Sequence, residues 1–244
     1  MQLNQKEHRI KEIELEKRII FALDLPQADQ ARDWVHKLTP WVRFYKVGWE
    51  LFLAAGWDIV HWIFRQGCEV MLDLKFYDVP RTVQQAMLQV RKHPVSLATV
   101  HGNKAILQAA QQAEVQSKIL AVTVLTSLDQ KDLAAMGLPC SPRDLVLHRA
   151  AQALESGCAG VVCSGEELPM LRQSLGQELL TVVPGVRPKM QQEDDQKRVV
   201  SVEQAFARGA DHVVLGRPLR QAQDPLGLLQ SLQQDIQNQL QEAS

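Results

Sequence analysis

Cysteine is scarce: Cys68, Cys140, Cys158 and Cys163 are the only four in 244 residues, and no two form a CxxC pair. A disulfide framework is thereby excluded, since a 27.5 kDa chain of ordinary composition does not need one, and the thiols are expected to stay reduced. None of the seven histidines lies at ligand spacing from a cysteine, which argues against zinc. Excess charge is also missing. With 27 Lys plus Arg against 28 Asp plus Glu, the formal net charge is −1, a poor basis for binding nucleic acid or an anionic membrane. No stretch approaches the ~18 consecutive apolar residues of a membrane helix. The N-terminus is charged and has no apolar segment ahead of Ile19 that would read as a signal. A soluble, cytoplasmic protein is expected. No Pro-rich, Gly/Ser-rich or strongly charged linker divides the chain.

The composition that remains, 45% apolar and 23% charged, suits a large packed core. Residues 1–18 stand apart as a charged arm with too few apolar positions for a stripe, an exposed helix or a frayed end. From residue 19 onward, short β-branched runs alternate with longer segments whose apolar residues recur at three and four. The runs are 19–25, 44–47, 69–74, 96–100, 119–125, 160–163, 179–183 and 212–215, eight in all. Helical patterns between them include 31–38, 82–92, 105–113, 144–155 and 202–207. The glutamine-rich tail from Pro225 places Leu228, Leu229, Leu232, Ile236 and Leu240 at helical spacing and reads as the final helix. Strands apolar on both faces, each followed by a helix, describe a parallel sheet covered by helices. Eight repeats in this length predict an α/β fold closed as a (β/α)8 TIM barrel, one domain over 19–244, ahead of an open doubly wound sheet.

Barrel active sites are built at strand ends and the loops that follow them, so the polar residues there are the informative ones. They are Asp24, Lys46, the cluster Asp73, Lys75 and Asp78, His101, Thr126, the Pro184-Gly185-Val186-Arg187 segment, and Gly216-Arg217. Alternation along a strand puts Asp73 and Lys75 on one face. Two carboxylates then flank one ammonium, which suits a general acid better than a nucleophilic amine. A surface salt-bridge ladder is the plain alternative. The loops after strands seven and eight are the recurrent phosphate site of barrels. There Gly216 lets backbone N–H groups approach an anion, and Arg217 offers a fork of donors, unless the turn merely caps a helix. Between Arg187 and Val199 lies a long polar stretch, a lid or a disordered loop. His36, His61, His93 and His148 fall in helical segments and read as packed or solvated.

Several of these segments together resemble the orotidine 5′-phosphate decarboxylases of the compact bacterial type. The likeness rests on Phe21-Ala22-Leu23-Asp24, Lys46-Val47-Gly48, the run from Asp73 to Pro80, Thr123-Val124-Leu125-Thr126-Ser127, Pro184-Gly185-Val186-Arg187-Pro188, Asp195-Gln196-Lys197-Arg198 and Gly216-Arg217-Pro218, in that order. The resemblance implies a barrel of the ribulose-phosphate-binding type. It also implies a lyase of pyrimidine synthesis that converts orotidine 5′-monophosphate to uridine 5′-monophosphate and CO2 with no metal and no organic cofactor. Lys75 would be the proton donor to C6 and Asp73 would lie beside the departing carboxylate. Asp24 and Lys46 would hold the ribose, Thr126 the pyrimidine edge, and Gly216, Arg217, Arg187 and Gln196 the phosphate and its closing loop. Asp78 and Thr82 would reach the neighbouring subunit's site, making the partner a second copy in a homodimer.

Two residues depart from the family pattern: Val79 and Arg81 stand where Ile and often Asn are expected, and the charged arm is longer than usual. A magnesium-dependent relative on the same barrel, a sugar-phosphate decarboxylase or hexulose-phosphate synthase, shares the Asp-x-Lys-x-x-Asp strand end. Lys46, Thr126 and the Gln196 loop favour the nucleotide. A non-catalytic nucleotide-binding barrel is the other alternative, against which the intact Asp73, Lys75 and Asp78 set counts.

Overall fold

Every strand of the chain obeys one rule: alternate residues face a narrow lumen and the others face a coat of helices. The computed structural model describes residues 12–188 and 200–242. Its strands are β1 (Ile19–Ala22), β2 (Phe44–Gly48), β3 (Glu69–Phe76), β4 (Leu97–His101), β5 (Lys118–Val122), β6 (Gly160–Val162), β7 (Leu180–Val183) and β8 (His212–Leu215). They pair in parallel in sequence order, and β8 returns to β1 to close the barrel. Lumen-facing residues, among them Ile20, Ala22, Phe44, Met71, Leu97, Leu120, Leu180, Val182 and Val214, form one buried cluster. The intervening residues, such as Phe21, Tyr45, Val47, Leu72 and Val213, join a second, larger cluster with the helices. Because both faces are buried, the strands are near-continuous apolar runs, which is why they are legible in the sequence.

The coat consists of α2 (Ala28–Leu38), α3 (Trp49–Arg65), α4 (Pro80–Val90), α5 (Lys104–Gln111), α6 (Gln130–Ala135), α7 (Pro142–Glu155), α8 (Leu168–Leu175), α9 (Val202–Ala207), α10 (Arg217–Arg220) and α11 (Pro225–Glu242), preceded by the short α1 (Leu15–Arg18). Local chemistry starts several of them. Pro80 and Pro142 open α4 and α7, where a missing N–H costs nothing. Asp129 with Asp132, and Ser201 with Gln204, close capping boxes on α6 and α9. In α11 Leu229, Leu232 and Ile236 are buried, as the spacing of the tail predicts. Among the described residues no helix is long and apolar enough to cross a membrane.

Some expectations shift. β1 ends at Ala22 rather than at residue 25, because the Leu25 amide turns back to the Leu23 carbonyl. β5 starts at Lys118 and stops at Val122, and Leu125 is exposed. β3 runs past residue 74 to Phe76, but with a bulge: Leu72 pairs with Ala98 and Phe76 with Val100. α3 carries no clean stripe in the sequence, and Gly56 at φ +55° interrupts it. His93 lies just beyond α4 rather than within it.

The described part of the charged arm is less solvated than its composition suggests. Ile13 packs against the lumen cluster and Leu15 against the outer core, so two apolar side chains suffice to seat it. Arg18 is buried, donating to the Ile13 and Asp211 carbonyls at 3.2 and 3.3 Å. Beside it His212 is buried, with Nδ1 2.8 Å from the Lys17 carbonyl. These contacts gather at the start of the strands, the end of the barrel opposite the polar strand ends.

Candidate active site

The period of two that fills the lumen also delivers its charges. Following the inward face upward from Ile20 and Ala22 leads to Asp24, from Phe44 to Lys46, from Met71 to Asp73, and from Leu97 to Thr99. At the C-terminal rim these four side chains and Lys75 meet. Lys46 Nζ lies 2.7 Å from Asp24 Oδ1 and 3.6 Å from Asp73 Oδ2, and Lys75 Nζ lies 2.9 Å from the same Asp73 oxygen. Charges thus alternate in a chain, Asp24, Lys46, Asp73, Lys75. The expected pair of carboxylates flanking one ammonium is therefore corrected in one respect: within a single subunit the second carboxylate of the chain is Asp24, acting through Lys46, not Asp78.

The β3 bulge aims Lys75. Its backbone sits at φ +47°, a left-handed conformation that is uncommon for a side chain of this size. Its amide donates to Thr99 Oγ1 at 2.9 Å instead of to the β4 backbone. The same hydroxyl donates to Asp73 Oδ1 at 3.0 Å, so one threonine fixes both neighbours of the bulge. Strain of this kind persists where the surroundings over-determine it, and it clusters at functional sites. Burial pushes the Asp73 carboxyl up, but the charges of Lys46 and Lys75 and hydrogen bonds from Lys75 and Thr99 outweigh it and hold the group below the usual carboxylate range. Asp73 is thus a buried, ionised carboxylate, and it lines the cavity.

That cavity, about 480 Å³, spans the rim. Asp24, Lys46, Asp73 and Lys75 line it together with Thr126, Gly185, Arg187, Gly216 and Arg217, the last two following β8 and so next to the end of β1. Gly185 takes φ +73°, and a Cβ on Gly216 would stand 3.1 Å from Ala22 Cβ, so both turns need glycine or favour it. Arg187 and Ser201 form an isolated bridge that ties together the two ends of the loop. Gln196 and most of the expected lid lie outside the described residues. A cavity of this volume, with an apolar floor and convergent polar groups, is of ligand-site size.

Asp78 and Thr82 are not brought to it. Both are exposed, and Asp78 accepts the Val79 amide at 2.7 Å. His101 is half-buried against Tyr77, ring centroids 4.2 Å apart, with Nδ1 2.8 Å from Asn103 Oδ1. Burial and the nearby Arg149 hold its pKa below the ordinary histidine value, against the pull of Asn103. Of the histidines read as packed or solvated, His36 lies edge-on to Trp62 and His61 is 2.9 Å from His93, while His148 is exposed, 2.9 Å from Gln152. Sequence reasoning missed Thr99, Glu50 and Arg220. Thr99 left a signal, a polar residue at an inward position of an apolar strand; Glu50 and Arg220, which line the cavity, left none. Among the described residues no three His, Cys, Asp or Glu side chains converge as metal ligands.

A closed (β/α)8 barrel with alternating carboxylates and ammonium groups at its C-terminal rim has the architecture of a barrel enzyme. The profile of the orotidine 5′-phosphate decarboxylase / HUMPS family matches residues 17–231. An orotidine 5′-phosphate decarboxylase of Methylococcus capsulatus is 49% identical over 230 residues, 93% of this chain and 95% of that one. One of Xanthomonas euvesicatoria is 44% identical, covering 90% and 91% of the two chains. The crystal structure of the orotidine 5′-phosphate decarboxylase of Lactobacillus acidophilus superposes with a TM-score of 0.77 at 31% identity, over 89% of this chain and 98% of that one. The chain belongs to the orotidine 5′-phosphate decarboxylase / HUMPS family.

Proposed function

We propose that this barrel decarboxylates orotidine 5′-monophosphate to uridine 5′-monophosphate in pyrimidine biosynthesis, with Lys75 as the proton donor. The observation that carries the reading is the alternating chain Asp24, Lys46, Asp73, Lys75, which lines a nucleotide-sized cavity that Gly216 and Arg217 also line. Relatives at 49% and 44% identity are orotidine 5′-phosphate decarboxylases, which favours this reaction over the sugar-phosphate chemistry that the family also includes.

In this mechanism the bond between C6 and the carboxylate breaks, CO2 leaves, and the electron pair stays on C6 in an orbital the ring does not delocalise. A preorganised ammonium is worth most where negative charge develops away from water. Lys75 Nζ stabilises the incipient carbanion and passes its proton to C6, forming the new C–H bond; solvent later restores the lysine. Asp73, buried and ionised beside it, stands against the substrate carboxylate and loses an unfavourable neighbour as CO2 departs. Asp24 and Lys46 hold ribose hydroxyls, Thr126 reads the pyrimidine edge, and Gly216, Arg217, Arg187 and Gln196 grip the phosphate. Remote phosphate binding closes the loop after Arg187 and is expressed at the ring. None of these steps draws on a metal or an organic cofactor, and the reaction belongs to the cytoplasm.

The partner is a second copy. Asp78 on the β3–α4 connection and Thr82 in the first turn of α4 are exposed, close in sequence to the exposed Tyr77 and Val79, an arrangement that suits a neighbouring subunit rather than their own site. The reaction run in D2O tests the proton transfer: the uridine monophosphate formed should carry deuterium at C6, seen as loss of the H6 resonance. Turnover of a keto-sugar phosphate with magnesium, and none of the nucleotide, would replace this reading with the sugar-phosphate one.

A further inference from the structure

The short helix α10 carries a second arginine that belongs to no motif. Arg220 follows Arg217 by three residues, so both stems leave the same side of the helix, and both line the cavity. Arg220 Nη1 donates to the backbone carbonyl of Asp24 at 2.7 Å, across 196 residues of sequence. Asp24 needs such an anchor. It lies beyond the end of β1, at the centre of a three-residue turn closed by the Leu25 amide on the Leu23 carbonyl at 3.0 Å. Its side chain is 45% exposed, against 11% for Lys46 and 11% for Asp73, so packing fixes those two but not Asp24. Arg220 Nε is buried with no partner, although a guanidinium kept only for solubility would turn that donor to water.

We infer that Arg220 is a positioning residue that fixes Asp24, and through it Lys46, thereby tying the α10 end of the cavity to the charged chain. The inference rests on the proposed reaction for its kinetic consequence, but not for its geometry. The geometry is tested in the crystal structure of Arg220→Met: the 2.7 Å contact between Lys46 and Asp24 should lengthen or be lost. An Asp24 carboxylate still seated on Lys46 would overturn the inference whatever the enzyme's substrate.

The kinetic arm is a double-mutant cycle. Arg220→Met should lower kcat/KM for orotidine 5′-monophosphate by about tenfold to a hundredfold, the factor for one hydrogen bond to a charged group. In an Asp24→Ala background the same change should have almost no further effect, since no carboxylate remains to be positioned. Arg220→Lys, which keeps one donor, should recover part of the loss at an unchanged melting temperature. Fully additive losses would overturn the role and make Arg220 an independent cation of the phosphate end. Failure of the wild-type protein to turn over the nucleotide would remove the proposed reaction alone and leave the crystallographic test standing.

Discussion

Thr99 holds two charged residues with one hydroxyl. It accepts the Lys75 amide and donates to Asp73, so Thr99→Val strands both partners while keeping the shape of the side chain. The expected cost is about 1–3 kcal/mol, a roughly tenfold to hundredfold fall in kcat, with Thr99→Ser close to wild type; steady-state kinetics of the two variants checks it. Asp73 has a sharper signature. Because its folded pKa is depressed, its contribution to stability is complete above about pH 4 and is lost as pH falls through the lower folded value. Activity lost between pH 7 and 5 should therefore not come from Asp73. Replacing it with Asn leaves Lys46 and Lys75 side by side without the carboxylate they share, and it should destabilise by about 3 kcal/mol as well as abolish turnover. Urea unfolding and the orotate assay read the two effects separately. Asp73 and Lys75 were legible in the sequence because a strand end displays its charges two apart. Thr99 left only the signal of a polar residue in an apolar strand: its part in the site comes from a bulge in the neighbouring strand, and nothing in the Leu97–His101 run announces that bulge.

At the scale of elements, the strands were readable because they are buried on both faces and therefore form short apolar runs, and the tail helix because Leu229, Leu232 and Ile236 return at helical spacing. α3 was not readable. Its apolar residues surround much of the helix, with Leu51 buried and Trp49 and Leu53 exposed, so periodicity carries no stripe, and Gly56 breaks the helix midway. The bulge in β3 was equally hidden, since it is a property of the pairing with β4 and not of either strand alone. The loops after β7 and β8 both line the cavity, and their proposed role in holding a phosphate is tested with a substrate that lacks one. Arg217→Ala should lower kcat/KM for the intact nucleotide far more than for orotidine, which lacks the phosphate. Equal losses on both substrates would remove Arg217 from the phosphate site.

At the scale of the whole molecule, the barrel divides its polar residues between two ends. The base is closed by α1, Arg18, Asp211 and a buried His212 whose pKa is lowered chiefly by burial, against the opposing pull of its bond to Lys17. A histidine depressed in the fold takes up its proton first in the unfolded chain, so its stabilisation is full above about pH 6.5 and declines as pH falls below it. Wild-type stability in urea should drop from pH 7.5 to 5.5 more steeply than that of His212→Gln. The rim, by contrast, leaves Asp78 and Thr82 exposed and outside the cavity lining, where the proposed homodimer would use them. Mixing inactive Lys75→Ala chains with inactive Asp78→Ala chains should restore some activity through hybrid sites; no recovery under proven subunit exchange would argue against shared sites. That proposed part of the site is an expectation of the family resemblance alone, because no pattern within one chain says which residues serve another.

The most direct test of the account follows the ultraviolet absorbance of orotidine 5′-monophosphate with the purified protein in excess EDTA, alongside Lys75→Ala. Loss of the orotate absorbance in the wild type, abolished in the variant, is the predicted result. No turnover until magnesium and a sugar phosphate are supplied would contradict it.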